Sequence, residues 1–306
     1  DLHVATAIGN YVLDLAYLDE AGCFEGTEIE GTEVFHEPTL NAFMSLGRKA
    51  WKDTRKVISQ ILSENNDTLR DNKDLKNLAL ISMEDAEMEF PIDIGDYTDF
   101  YSSKEHASNV GTIFRGPENA LMPNWLHLPI AYHGRASSVI LDGGNIVRPK
   151  GQTKAPDATS PSFGDSKRMD FELEMGLFIG SGNSLGEPIS VNDAEGHIFG
   201  MALVNDWSAR DIQAWEYQPL GPFLAKNLAT TISPWIITLE ALEPFRCSGP
   251  KQDPEPLEYL KNDNDSTFDI NLEIHLKTEN MDKYELISSS NYNYLYWDMA
   301  QQIAHH

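Results

Sequence analysis

Phe171-Glu172-Leu173-Glu174-Met175 is the first place in the chain where residue types and spacing suggest chemistry. Side chains of a strand alternate between its two faces, so Glu172 and Glu174 share one face and Phe171, Leu173 and Met175 the other. Two carboxylates that close repel each other unless water or a cation intervenes. An exposed polar face satisfies the pattern; so does a hard divalent ion, which needs several oxygen ligands. Asp206 follows the apolar run 199–204. A carboxylate before a helix is commonly a cap, but Ser208 and Asp211 supply an S-x-x-D capping box of their own, which leaves Asp206 free for other work. Arg210, Gln213 and Tyr217 recur at helical spacing and offer a guanidinium, an amide and a phenol to one place. The same spacing also describes the rim of a surface helix. Asp96-Tyr97-Thr98-Asp99-Phe100-Tyr101 precedes His106, whose side-chain type suits a general base near neutral pH. A lone histidine is more often structural than catalytic, so its type alone supports that role weakly.

These residues need elements to hold them. The spacing predicts strands over 3–8 and 11–15 around Gly9-Asn10, a two-residue hairpin signal. It predicts a helix over 40–62 with Thr39 as its cap, then a polar turn and a short helix over 63–76. An acidic link, Glu84 to Glu89, ends at Phe90-Pro91 and sets a boundary between domains 1–90 and 91–306. Beyond it, recurring Pro and Gly between short apolar runs predict a β-rich domain with long functional loops. Its clearest strand is 169–179. A buried strand is expected at 199–204, a helix at 206–217 ended by Gln218-Pro219, strands at 234–239 and 268–277, and a terminal helix at 294–306.

Composition narrows the partners. The 306 residues carry 23 Lys+Arg against 48 Asp+Glu, a net charge of −25, so a nucleic acid or an anionic membrane surface is a poor partner. No run of 18 apolar residues is present for a helix to span a bilayer. Cys23 and Cys247 make neither a disulfide framework nor a zinc spacing, which suits a reducing compartment. The start of the sequence shows no basic and apolar leader, so no secretory signal is expected. The chain has no phosphate-binding glycine loop and no serine-hydrolase elbow.

Longer motifs surround these residues: Ile94-Gly-Asp-Tyr-Thr-Asp-Phe-Tyr-Ser-Ser-Lys-Glu-His106, Asn119-Ala-Leu-Met-Pro-Asn-Trp-Leu-His-Leu-Pro129 and Tyr132-His-Gly-Arg-Ala-Ser-Ser138. With Phe171–Met175, Asn205-Asp-Trp-Ser-Ala-Arg-Asp-Ile-Gln213 and Trp215-Glu-Tyr-Gln-Pro-Leu-Gly-Pro-Phe-Leu-Ala-Lys226, they resemble the fumarylacetoacetate hydrolase family of the eukaryotic type, collinearly over essentially the whole chain. The resemblance implies a mostly β fold with α elements: a small SH3-like N-terminal β-barrel and a mixed β-sandwich roll, in a cytoplasmic homodimer. It implies hydrolysis of the C–C bond of 4-fumarylacetoacetate to fumarate and acetoacetate, the last step of tyrosine breakdown. Asp99, Glu172, Glu174 and Asp206 match the carboxylates around Ca²⁺ or Mg²⁺, with Lys226 and Thr230 beside the ion. His106 matches the base that activates water, Arg210 and Lys226 the charge stabilisers, and Tyr101, Arg115, Tyr132, Gln213 and Tyr217 the substrate contacts.

Against the family pattern the chain is expected to be shortened, at its N-terminal lead-in and beyond His306, where the family carries a Gly- and Thr-rich stretch and a glutamate partner for the base. A piece of this kind is expected to turn over little by itself and to leave part of the run Tyr292, Tyr294, Leu295, Tyr296, Trp297, Met299 and Ile303 uncovered. Two other functions fit the same motifs. One is decarboxylation or isomerisation of a 2-keto acid on the same roll, separable by a substrate panel. The other is a non-catalytic cation-binding relative, which would bind metal without turnover.

Overall fold

Gly9, at φ +57°, turns the chain between strands Ala5–Ile8 and Tyr11–Asp14, which pair antiparallel with Ile8 opposite Tyr11. Glycine adopts this left-handed backbone at no steric cost. The computed structural model describes residues 2–306. Leu15 leaves the strand and opens helix Leu15–Glu20, because Asp14 caps that helix and accepts the Ala16 N–H at 2.9 Å. Strand Leu80–Ser82 completes an open three-stranded sheet; among the described residues these strands do not close into a barrel.

The helix expected over 40–62 is two helices, Asn41–Ser45 and Arg48–Ile61, parted by Gly47 at φ +83°. Leu40, not Thr39, stands at the first cap position, with no side-chain bond. Two short helices follow, Asp67–Arg70 and Lys73–Ala79. Phe43 and Trp51 set their rings edge-on to Phe199, at 5.7 and 5.2 Å. Gly180 makes that approach possible, since a Cβ there would lie 2.3 Å from the Trp51 ring. The largest core therefore runs past residue 91: N-terminal residues pack with Phe178, Phe199, Ala202 and Ile232.

Strand Ile198–Asp206 is the hub of the second half. It pairs antiparallel with Leu173–Ile179 on one side and with Thr230–Ile232 on the other, and Val139–Leu141 extends the sheet in parallel. Register places Glu174 opposite Val204 and Asp206 opposite Thr230. By two-residue alternation both carboxylates share the face of Ala202 and Val204, which pack on the N-terminal core. The acidic site is thus the polar end of a buried sheet face.

Several elements differ from the spacing-based expectation. The strand 169–179 is interrupted: Met169–Asp170 pairs with Ser208–Ala209, and Phe171-Glu172 bridges to Leu173–Ile179. The run 199–204 is not wholly buried, for Leu203 is 50% exposed. The helix after Asp206 is only Arg210–Glu216. Its cap residue Ala209 makes no side-chain bond, and Asp211 instead accepts from Ser166 Oγ and Lys167 N, so the Ser208/Asp211 box does not form. The strand at 234–239 shrinks to Ile237–Thr238, and that at 268–277 divides into Thr267–Phe268 and Asn271–Leu276. The terminal helix is Met299–His305, capped by a reciprocal Asp298–Gln301 box. Most of the aromatic run before it is covered: Tyr292, Tyr296, Trp297 and Met299 are buried, and Tyr294 is exposed.

Candidate metal and hydrolase site

Asp99 occupies the centre of strand Thr98–Phe100, opposite Tyr132 of strand Ala131–His133. It meets Glu174 and Asp206 from the hub sheet. One oxygen from each of these three carboxylates lies within 4.8 Å of the others, and among the described residues this is the group with the makings of a metal site. The donor set is all oxygen, which suits a hard divalent cation. Burial and mutual repulsion push Glu174 well above the usual carboxylate range. Burial also pushes Asp206 up to about 7, against the pull of Lys226 and with Asp99 and Glu172 adding to the rise. Three clustered acids, Asp206 buried and Asp99 and Glu174 half-buried, that resist ionising together are what a divalent ion would relieve. The Tyr132 hydroxyl, buried beside Asp99 without a hydrogen-bond partner of good geometry, is a further unsatisfied group there. The residues present fit a divalent cation.

Glu172 stands apart from that trio. Its Oε1 accepts from Arg210 Nη2, and its Oε2 accepts from Lys226 Nζ at 2.8 Å. Burial opposes its charge, but Lys226, Arg210 and His106 outweigh burial and hold the carboxyl down at about 2. Lys226 also donates to Asp206 Oδ2. Arg210 spreads its other nitrogens over Asp170 at 2.7 Å and Gln213 Oε1 at 2.9 Å. A fork with three fixed acceptors is the arrangement for which guanidinium geometry is suited.

His106 lies in the first turn of helix Lys104–Arg115, placed there by Ser103, whose Oγ accepts the His106 N–H at 3.2 Å. Its Nε2 is 3.7 Å from Glu172 Oε1, and its side chain is 38% exposed. Burial, aided by Arg210 and Lys226 and opposed by Glu172, lowers its pKa. Burial thus favours the neutral imidazole, the form able to accept a proton. The Tyr101 ring stands edge-on to it at 5.6 Å, while its hydroxyl donates to Ala107 O.

The remaining sequence candidates take several positions. Thr230 Oγ1 donates to Asp206 Oδ1 at 3.4 Å, so it sits beside the trio. Gln213 is buried and tied to Arg210. Tyr217 stacks near Phe114, 5.4 Å between rings, across from the His106 helix. Arg115 is turned toward the loop carbonyls of Asn119 and Ala120, not toward the carboxylates. Two supporting residues escaped the sequence reading. Asp170 anchors Arg210, a role set by the pairing of Asp170 with Ser208. Tyr97 places its hydroxyl 3.4 Å from Thr230 Oγ1, and Gly134 leaves room for the ring, since a Cβ there would lie 2.1 Å from it. Tyr97 lies inside the Asp96–Tyr101 motif, which was the available signal.

Fold and site together bring three clustered carboxylates and a neighbouring carboxylate–histidine pair to one end of the hub sheet. The family model described as "Fumarylacetoacetate (FAA) hydrolase C-terminal" matches residues 96–306, and "Fumarylacetoacetase N-terminal" matches residues 1–91. The chain belongs to the fumarylacetoacetase family and is an enzyme of that type. It is 54% identical to the fumarylacetoacetase of Arabidopsis thaliana over 302 residues, covering 99% of this chain and 72% of the relative. It is 53% identical to that of Homo sapiens over 304 residues, with the same coverage of both chains. Among solved structures, maleylpyruvate hydrolase from Sphingobium sp. SYK-6, in complex with manganese(II) and pyruvate, shares the fold at TM-score 0.50 and 13% identity, over 99% of this chain and 78% of that one.

Proposed function

We propose that this chain hydrolyses the C–C bond of 4-fumarylacetoacetate to give fumarate and acetoacetate, the last step of tyrosine catabolism. The observation that carries this reading is the convergence of Asp99, Glu174 and Asp206, with Glu172 standing between Lys226 and His106, in a chain 52–54% identical to fumarylacetoacetases. Asp99, Glu174 and Asp206, with Glu172 alongside and Thr230 and Lys226 flanking, would hold Ca²⁺ or Mg²⁺. When bound, such an ion supplies Lewis acidity that polarises the oxygens of a 1,3-diketone.

The chain's own groups do the rest. Neutral His106 accepts a proton from water, whose oxygen forms the new bond to the carbonyl carbon of the fumaroyl part. The adjacent Glu172 carboxylate stabilises the imidazolium that results. Arg210 and Lys226 donate to oxygen as negative charge develops; losing one such donor typically costs ~2.7–4 kcal/mol of transition-state stabilisation. The C–C bond then breaks, and the acetoacetate carbon takes a proton. The family pattern gives Tyr101, Arg115, Tyr132, Gln213 and Tyr217 to positioning the substrate, for which Arg115 would turn from the carbonyls of Asn119 and Ala120. Because the protein carries −25 overall, these local cations and the metal must reverse the field for a dianionic substrate.

The family reading extends to an SH3-like barrel within residues 1–90, a catalytic roll over 91–306, a homodimer and a cytoplasmic location. The test of the function is disappearance of fumarylacetoacetate with and without added divalent cation. Turnover that is low beside an active relative, needs the cation and is lost in His106→Ala is the expected result; cation-independent turnover, or turnover unchanged in His106→Ala, would overturn it.

A further inference from the structure

Lys226 is 6% exposed at its side chain and lies between two acids that are also sealed from water, Glu172 at 9% and Asp206 at 1%. Four carboxylates (Asp99, Glu172, Glu174 and Asp206) face two cations (Lys226 and Arg210), so the ionised inner set sums to −2, the charge that one divalent ion cancels. Arg210 is committed on the Glu172 side, where Asp170 and Gln213 fix it. Lys226 alone reaches into the trio, and it does so through Asp206 Oδ2. Its second bond, 2.8 Å to Glu172 Oε2, leaves it a place to stay if Asp206 turns to another cation.

We propose that Lys226 is a built-in counter-ion rather than a metal ligand: it neutralises the carboxylate trio while no divalent ion is bound, and yields Asp206 when one arrives. This rests on the reading of Asp99, Glu174 and Asp206 as a divalent-cation site. An ammonium has three N–H donors and no lone pair, so it cannot ligate a metal; its effect on a nearby cation is repulsion through a medium of reduced dielectric. Yielding Asp206 leaves Lys226 held by Glu172 with one donor released. Lys226 then has two of its three donors free instead of one, which couples metal occupancy to the donors available to a developing oxyanion. The device also limits affinity, because each incoming ion must displace an ion pair.

The experiment titrates Mg²⁺ and, separately, Ca²⁺ into the intact chain and its Lys226→Met variant by calorimetry, with thermal melting of both proteins in chelator and in saturating cation. Removing the competing charge should tighten binding by about tenfold or more. It should lower the melting point in chelator more than in cation. As a measurement that needs no variant, the Lys226 ammonium resonance of the wild-type protein should shift in step with cation binding. Unchanged or weaker binding by folded Lys226→Met, or a resonance that ignores the cation, would overturn the lysine proposal while leaving the site intact. No binding by either protein would overturn the site itself, and the proposal with it.

Discussion

Two acidic regions of this molecule use the same residue types to opposite ends. Asp19, Glu20, Glu25 and Glu30 line an open cavity of about 370 Å³ on the N-terminal half. Glu20, Glu25 and Glu30 are exposed, Glu30 accepts only the Gly26 N–H of its own loop, and nearby Glu28 pairs with Lys49 in water. Asp99, Glu172, Glu174 and Asp206 sit instead at the buried end of the hub sheet, with Lys226 and Arg210 enclosed among them. The difference teaches that acid density does not make a site. Water screens the outer group, so its carboxylates are coupled only weakly: burial pushes Asp19 up, opposed by His36 and aided by Glu33 and Glu20. Strand register brings Glu174 and Asp206 together, Asp99 and Glu172 join them from neighbouring segments, and burial strips their water, so each charge there is felt by the others.

The comparison breaks most visibly at His106, which has no counterpart in the outer group. His106→Ala should lower turnover by about 10²–10⁴-fold, the range of a general base, while calorimetry finds cation affinity unchanged. A collapse of affinity would mean that the histidine is a ligand. Asp206→Ala should weaken divalent-cation binding by about ten- to a hundredfold, since a charge-assisted contact is worth ~1.5–3 kcal/mol. Glu30→Ala should leave that titration where it was. Equal losses at both positions would erase the distinction.

The pH dependence sharpens the same contrast. Asp206 rises from 3.8 to about 7 on folding, so its contribution to the cation-free fold is complete below pH 3.8 and is lost as pH rises through about 7. Glu172 falls from 4.5 to about 2, so its contribution is complete above pH 4.5 and is lost as pH falls through about 2. Ionisation of Asp206 should therefore lower the melting point of the cation-free protein between pH 3.8 and about 7. Cation binding has the opposite sign, because ligands must lose their protons. Affinity should tighten by up to about tenfold per pH unit below that point, with proton release visible as a buffer-dependent heat. The smallest effects are steric. Gly134→Ala drives a Cβ into the Tyr97 ring and should cost ~1–3 kcal/mol, read by denaturant unfolding. Gly26→Ala, in the outer loop, meets open space and should cost only ~1 kcal/mol for its φ of +75°.

The sequence made the inner site legible where chemistry follows from local spacing. Glu172 and Glu174, Asp206 after an apolar run, and Arg210 with Gln213 were visible because strand and helix periods relate them. Their division of labour was not. Glu172 pairs with Arg210 and Lys226 where the strand breaks at Phe171-Glu172, and that break goes with the pairing of Met169–Asp170 with Ser208–Ala209, about forty residues away. The Ser208/Asp211 box failed for a related reason: Ser208 was drawn into that pairing, and Asp211 found Ser166 and Lys167 as partners. The core that joins Trp51 and Phe43 to Phe199 crosses the boundary read at Pro91, since apolar packing is blind to the composition of a linker. Which part of the run 292–303 is covered was not legible, because the partners are distant: Trp297 Nε1 donates to Trp125 O, and the Tyr296 ring lies 5.2 Å from that of Trp125.

Crystals soaked in Mn²⁺ and measured for anomalous scattering put the two acidic regions to the most direct test. The account predicts one ordered ion bounded by Asp99, Glu174 and Asp206, with Lys226 Nζ withdrawn from Asp206 toward Glu172, and no ion among Asp19, Glu20, Glu25 and Glu30. An ion ordered in the outer cavity with none in the inner trio would contradict it.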